Sequence, residues 1–243
     1  MSVDEIEALL FRLYIDADGA KLRKEDKKKA LELAGLVAEL KLSAGRLARS
    51  GELVLVDAAA GKGYVAVLSA TVLAPAHVIL IERDPRRLAL AEEAAVRSAS
   101  PGVRFSFHSG DVADPTLWPT RPDIVIALHA CGRAADAILD AGVAASARLI
   151  LLVPCCTPTE ARHDRQAEEI GIPRHAAVRR AFLDTMLAAE RTLRLEGAGY
   201  HTEIVAFVPP TVTPHNLLWR ARHIGDPNRM HKARTQLSRL AAI

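Results

Sequence analysis

The chain has 243 residues, 50% hydrophobic, 25% charged and only 4% aromatic, with 32 lysines and arginines against 29 aspartates and glutamates. That length suits one large domain or two small ones with a sizeable core, and no apolar run approaches the roughly 18 residues that span a bilayer. A net charge of +3 permits an anionic partner without demanding one, while three cysteines, two of them adjacent, do not make a disulfide framework.

The N-terminus, MSVDEIEALLF, is acidic and has no basic flank before its apolar stretch, so it does not read as a signal peptide, and a cytoplasmic protein is expected. Residues 3–14 and 25–48 carry helical periodicity. In the second stretch Ala30, Leu33, Val37 and Leu40 fall on one stripe, and Lys27, Lys28 and Lys29 crowd one turn. That turn reads equally well as a solvated face or as the rim of a site. From residue 52 the pattern changes to short apolar runs alternating with helices. Strands are expected at 53–57, 77–82, 103–111, 123–128 and 147–153, with helices at 64–74, 84–99 and 132–145; Asp84 caps the second of these and Pro85 occupies its first turn. Runs that are apolar at every position and separated by helices indicate a parallel sheet covered on both faces. Residues 157–178 are polar and read as a loop or short helix over the sheet's edge. A helix at 179–198 follows, then strands at 201–208 and 216–223 joined through PPTVTP as a hairpin, then a basic amphipathic helix at 226–243. The expected fold is α/β: a Rossmann-like, seven-stranded sheet, mostly parallel with an antiparallel last strand. It divides the chain into a helical extension (1–50), a main domain (51–225) and the C-terminal helix.

Between the first strand and its helix lies DAAAGKGY, Asp57 to Tyr64. Glycines ahead of a helix let the backbone approach a ligand closely. Gly61 to Ala66 formally match the dinucleotide fingerprint G-x-G-x-x-G/A, and Glu82 ends the next strand where an acid can grip ribose hydroxyls, so NAD is an open reading of these residues. Three features favour S-adenosylmethionine. Asp57 closes the first strand, where an anion suits an ammonium and a sulfonium and repels a pyrophosphate. Asp111, in SGD after the third strand, can accept from an adenine amino group. The helix and hairpin after the fifth strand are foreign to dehydrogenase domains, and none of the three tyrosines has a lysine four residues on. Ordinary strand-end caps would explain one such acid; three beside a glycine loop argue for a cofactor site lined by Asp57, Ala58, Gly61, Gly63, Glu82, Arg83, Asp111, Val112 and Leu128.

Two further motifs end apolar strands: LHACG (128–132) and VPCC (153–156). Strand ends at the carboxyl edge of a parallel sheet line the ligand crevice. With DAAAGKGY, IERD (81–84), LHACGRAAD (128–136), HNLLWRAR (215–222) and the N-terminal Lys28-Lys29-x-x-Glu32, these motifs resemble the class I methyltransferase domain found in the C-terminal part of glutathione S-transferase C-terminal-domain-containing proteins. The tRNA 2′-O-methyltransferases with a His-x-Cys-Gly motif look like more distant relatives. The resemblance covers about residues 27–222 and implies S-adenosylmethionine as the cofactor. The chain departs from the pattern at Ala59, where the first glycine usually stands, at Ala135, often Thr, and at Thr157, often an aromatic.

Three chemistries remain open for the motifs. His129 can act as a base for an oxygen or nitrogen acceptor. Cys131 and Cys155 stand in places comparable to the two cysteines of RNA cytosine-C5 methyltransferases, which activate a carbon nucleophile covalently, although their flanking residues differ and Cys is among the commonest buried residues. His129, Cys131, Cys155 and Cys156 are also zinc-type donors, but adjacent cysteines rarely share one ion, and no metal is expected. The bland alternative is a tight turn and a packed interior. Lys28, Lys29, Pro154 and Cys156 are the candidate substrate contacts. Basic residues at 27–29, 174–180 and 228–239 could track a phosphate backbone, so RNA is the first expectation; few aromatics are present to stack on bases. A small molecule or a protein side chain is the alternative substrate, and a cofactor-free binding module the alternative to an enzyme. No membrane partner is expected, and the sequence leaves the oligomeric state open.

Overall fold

A computed structural model describes residues 1–15, 21–45, 47, 52–130, 132–154 and 161–242, with nothing said of the side chains of 161 and 162. Cys131, Cys155, Cys156 and Thr157 lie outside the described residues. Seven strands form one sheet: β1 (Val54–Ala58), β2 (His77–Glu82), β3 (Arg104–Ser109), β4 (Ile124–Ala130), β5 (Leu149–Pro154), β6 (Tyr200–Ala206) and β7 (Leu217–His223), in the order β3-β2-β1-β4-β5-β7-β6. The first five run parallel, and β7 pairs antiparallel with both β5 and β6. The order reverses between β1 and β4, and in such sheets the crevice beyond the carboxyl ends at the reversal is where ligands bind.

The central strands are buried on consecutive positions because helices cover both faces. β3, at one edge, is only half buried, which fits its alternating RFSFHS. On one face lie α1 (Val3–Leu10), α2 (Lys24–Ala44), α3 (Tyr64–Leu73) and α4 (Pro85–Ser98); their apolar side chains share a core with Leu55, Leu80, Ile126 and Leu151 of the sheet. The opposite face carries α5 (Arg133–Ala144) and α7 (Ala176–Gly197), packed over Val125, Ile150 and Trp219. α6 (Ala161–Glu169) and α8 (Pro227–Ala241) pack against α7. Among the described residues no helix is long and apolar enough to cross a membrane.

Local chemistry sets most boundaries. Ser2 and Glu5 form a capping box on α1, Asp84 caps α4 ahead of Pro85, and Asp226 caps α8 ahead of Pro227. The α2 stripe Ala30, Leu33, Val37 and Leu40 is buried, and Leu36 joins it. Gly35 lies against the β6–β7 connection, where a Cβ would stand 2.3 Å from the Phe207 carbonyl oxygen.

Several boundaries differ from the periodicity. The first helix gives way at Phe11 to a π-helical turn reaching Ile15. Strand β3 stops at Ser109, leaving Asp111 in the turn beyond. The polar stretch after β5 is not all loop: α6 forms, with His163 buried and hydrogen-bonded to Gln166 and Glu190. β4 continues through His129 to Ala130, and its pairing with β5 shifts register between Leu128 and Ala130. Apolar content alone ends that strand at Leu128; the backbone pairing with Pro154 extends it.

Candidate active site

The loop after β1 turns on two residues in the left-handed region, Ala59 (φ 58°) and Gly61 (φ 59°), and Gly63 (φ 75°) starts α3. Ala59, standing where a glycine would be unstrained, costs about 1–2 kcal/mol there. Gly63 is required twice over: its φ is positive, and a Cβ would lie 2.7 Å from that of Ala91 on α4. Gly61 differs, since a Cβ there would meet nothing within 4 Å. The loop therefore packs tightly below and opens above.

Carboxylates surround this loop. Asp57 is buried and accepts the Ala66 N–H in the first turn of α3. Glu82, also buried, accepts the N–H groups of Gly61 (2.7 Å) and Asp84 (3.0 Å). The helix terminus that a pyrophosphate would occupy in a dinucleotide-binding fold thus already faces acids, which disfavours NAD and fits a cationic nucleoside. Asp111 is exposed and accepts the Ala113 N–H, Val112 is buried, and Trp118 Nε1 donates to the Val112 carbonyl, holding that turn in place. Ala58 is buried, Leu128 half buried and Arg83 exposed. β1 and β2 thus bring Asp57, Gly61 and Glu82 together, and Gly110 N–H bonds to the Glu82 carbonyl, joining the Asp111 turn to the same edge.

Burial pushes the Asp57 carboxyl up to about 7 against the hydrogen bond from Ala66, and the charge of Glu82 adds to the rise. Folded protein then keeps this proton to higher pH than the unfolded chain, so stability falls as pH rises from about 4 to about 7 and the loss is complete above that. Asp57→Asn can still accept the Ala66 N–H. Thermal melts of the cofactor-free protein should show it gaining on wild type as pH rises, by up to about 4 kcal/mol; a parallel pH profile for the two would refute this burden on Asp57.

His129 sits in the register shift of β4, at φ 63°. Bulges re-aim side chains next to active sites, and the left-handed conformation of a non-glycine residue is itself strained by about 1–2 kcal/mol. The ring is partly exposed, and its Nε2 lies 2.9 Å from Oε2 of Glu32 on α2, whose side chain is only 5% exposed. Lys29 Nζ donates to the same oxygen at 3.0 Å. Burial acts to raise the Glu32 carboxyl, but the hydrogen bond from His129 and the Lys29 ammonium outweigh it and hold the group below its usual range.

Of the expected substrate contacts, Lys28 is exposed, Lys29 is engaged with Glu32, and Pro154 closes β5 half buried. Cys131, Cys155 and Cys156 fall outside the described residues. The basic clusters are partly neutralised: Arg174 pairs with Glu168, Arg179 with Asp164 and Arg229 with Glu196, while Arg234 donates to the Gly197 carbonyl. Sequence reasoning passed over two residues. Glu32 was visible in the Lys-Lys-x-x-Glu spacing, but nothing local tied it to His129. Tyr14 had no signal at all; its hydroxyl donates to the Lys62 carbonyl in the glycine loop, and its ring meets Tyr64 edge-on with centroids 4.4 Å apart.

Known proteins match this architecture. The family described as methyltransferase domain matches residues 26–161, more than half of the chain. Magnesium protoporphyrin IX methyltransferase from Synechocystis PCC 6803, solved with bound S-adenosylhomocysteine, is similar at a TM-score of 0.51 and 16% identity, over 88% of this chain and 93% of that one. CalS10 from Micromonospora echinaspora, an amino pentose methyltransferase solved with S-adenosylmethionine, is similar at a TM-score of 0.50 and 18% identity, over 85% and 99%. At such identities these two likenesses show the fold alone. No curated protein sequence matches the chain. The family match takes in the glycine loop, β4 and the α2 helix that carries Glu32, and the chain belongs to the methyltransferase domain family as a class I enzyme dependent on S-adenosylmethionine.

Proposed function

We propose that the chain methylates an oxygen or nitrogen of an RNA, tRNA or rRNA, with His129 beside the acceptor. The observation that carries the catalytic part is the placement of His129, a partly exposed ring on a left-handed backbone in a strand bulge at the carboxyl edge, backed by a carboxylate. The residues present fit the cofactor: the loop opens above Gly61, and the acids around it suit a ligand bearing an ammonium and a sulfonium. Gly61 and Gly63 would let the backbone approach it, Glu82 would take the ribose hydroxyls, Asp111 and Val112 the adenine, with Ala58, Arg83 and Leu128 at its borders. Buried Asp57 acts beneath the loop, shaping it through its bond to the Ala66 N–H.

Bound S-adenosylmethionine supplies an electrophilic methyl carbon. The protein's part is to hold the acceptor in line with it and to receive the acceptor's proton, which His129 does. Leu128 and Pro154 shape the apolar mouth from adjacent strands, and Lys28 lies exposed on α2 beside the Glu32 side of the site. Cys131 and Cys155 are the corresponding candidates if the acceptor is carbon, and Cys156 a further substrate contact. RNA is favoured by the resemblance to the glutathione S-transferase C-terminal-domain and His-x-Cys-Gly tRNA methyltransferases and by exposed Lys27, Lys28 and Arg180. We assign catalysis to residues 51–225, with 1–50 as a helical extension that adds Glu32 and with 226–243 as a basic C-terminal helix, in a cytoplasmic protein. A second reading, a small acceptor, is supported by a cleft of about 150 Å³ against Pro154, lined also by Arg191, His215 and Trp219.

Titration calorimetry should show S-adenosylmethionine binding, NAD not binding, and Glu82→Ala weakening the first by about two orders of magnitude, as expected for loss of a paired, charge-assisted contact. Incubation with methyl-labelled cofactor and separated cellular RNA, protein and metabolites should then label the RNA. Label confined to metabolites or protein would replace the RNA reading with one of its alternatives.

A further inference from the structure

We infer that Tyr14 is a positioning residue for the cofactor: it pre-sets the glycine loop for S-adenosylmethionine and couples occupancy of that loop to the N-terminal turn Phe11–Ile15. This rests on the reading that the cofactor sits on the Gly61–Gly63 loop. The Tyr14 hydroxyl donates to the Lys62 carbonyl at 3.0 Å, across 48 positions of sequence. That carbonyl and the Gly63 N–H belong to one peptide unit, and the Gly63 N–H donates to the Ala60 carbonyl at 2.9 Å. Tyr14 and Ala60 thus hold the unit at both ends. Glycines stand on either side of Lys62, Gly61 at φ 59° and Gly63 at φ 75°. Glycine takes positive and negative φ about equally well, so sterics alone do not keep this unit from turning over. Its hydrogen bonds do.

Tyr14 is itself held in place. Its ring meets that of Tyr64, the first residue of α3, edge-on with centroids 4.4 Å apart. Arg97 on α4 donates to the Leu13 carbonyl at 2.8 Å, and the Leu13 side chain is buried. The same helix lies against the loop, where Ala91 packs on Gly63. α4 therefore supports the turn and the loop alike. Burial pushes the Tyr14 hydroxyl well above the usual phenol range, with Tyr64 and Asp57 adding to the rise, so it stays a donor across the working pH range. The turn that presents it is π-helical, a rare geometry found frequently at functional sites. Leu9, Leu10 and Leu13 already seat the N-terminal segment in the core. What the hydroxyl adds is a fixed loop conformation. Coupling of this kind is reciprocal: if the closed turn favours binding, bound cofactor disfavours opening of the turn by the same factor.

The test uses the full chain with Tyr14→Phe, which keeps the ring and removes only the donor, beside wild type and Glu82→Ala. Two quantities are read well below the melting transition: S-adenosylmethionine affinity by calorimetry, and amide hydrogen exchange of residues 11–15 with and without the cofactor. Tyr14→Phe should leave about one loop in five in the competent conformation and so raise the apparent Kd about 5-fold. In wild type the cofactor should slow exchange of residues 11–15 by about the same 5-fold; in Tyr14→Phe it should leave that exchange unchanged. An unaltered Kd in Tyr14→Phe overturns the inference, as does exchange at residues 11–15 that is indifferent to the cofactor in wild type. A lower Tm with both readouts unmoved also overturns it, since that marks a role in stability alone. Should Tyr14→Phe fail to fold, the wild-type exchange decides. Glu82→Ala separates the two readings. If Glu82→Ala binds S-adenosylmethionine as wild type does, the placement of the cofactor on this loop falls; if it binds weakly while Tyr14→Phe binds normally, only the role of Tyr14 falls.

Discussion

His129→Ala is expected to slow methyl transfer by about 10²- to 10⁴-fold while leaving affinity for S-adenosylmethionine unchanged. The acceptor's proton has to leave as the new bond to carbon forms, and a positioned base removes that part of the barrier. The ring stands on the β4 bulge, outside the glycine loop and the Glu82 carboxylate bonded to it, so its removal does not touch these expected cofactor contacts. It also removes a left-handed histidine and replaces it with a left-handed alanine, so the backbone strain remains while the Glu32 carboxylate loses a partner. A modest loss of stability, about 1–3 kcal/mol for an under-satisfied buried acceptor, should accompany the loss of rate. Single-turnover labelling with the cofactor in excess separates the two effects, because only folded, cofactor-loaded enzyme is counted. A rate near wild type would assign the proton's removal elsewhere and bring the cysteines of LHACG and VPCC forward as the next candidates.

Gly35→Ala is expected to destabilise the protein by about 3 kcal/mol, a fall in Tm of roughly 6–12 °C for a chain of this size. Intrinsic propensity points the other way, since alanine in mid-helix is worth about 1 kcal/mol more than glycine. The structural conflict is larger. A Cβ on Gly35 would lie 2.3 Å from the Phe207 carbonyl oxygen and 2.5 Å from Val208 Cγ1. The carbonyl is backbone at the end of β6, tied to β7 by the hydrogen bond from Phe207 N–H to the Asn216 carbonyl, and cannot rotate away as a side-chain end could. The helix must lift instead, which would also draw Glu32 away from His129. Melts monitored by circular dichroism decide the matter: a Tm equal to or above wild type would mean that α2 is not seated on the β6–β7 connection as described.

Most of the fold was legible because its signals are local. Residues 77–82 are apolar at nearly every position and form β2 over that span, and Asp84-Pro85 starts α4 at the expected residue. The hairpin of β6 and β7 followed from two short runs around a proline-rich turn, and the C-terminal helix from its amphipathic pattern after Asp226. Boundaries that depended on pairing were less legible. β4 ends two residues later than its apolar run, because Ala130 pairs with Pro154 across the bulge. The π-helical turn at Phe11–Ile15 carries no compositional mark. In the site, the acids were readable one by one, since each lies at or just beyond the end of a strand of known direction. The partners were not: Glu82 with Gly61, Tyr14 with Lys62 and Glu32 with His129 are separated by 21, 48 and 97 positions.

The sequence by itself determined the alternation of strands and helices, the doubly covered parallel sheet and the glycine loop with its three acids, because hydrophobic period, capping residues and strand-end chemistry are written within a few residues of where they act. Only the tertiary structure decided that α2 reaches the end of β4, that Asp57 is buried beneath the loop, and that His129 leans on a carboxylate from another layer. Those facts depend on which elements the packed core brings side by side, and burial energy, which sets that arrangement, depends on area and shape and not on distance along the chain.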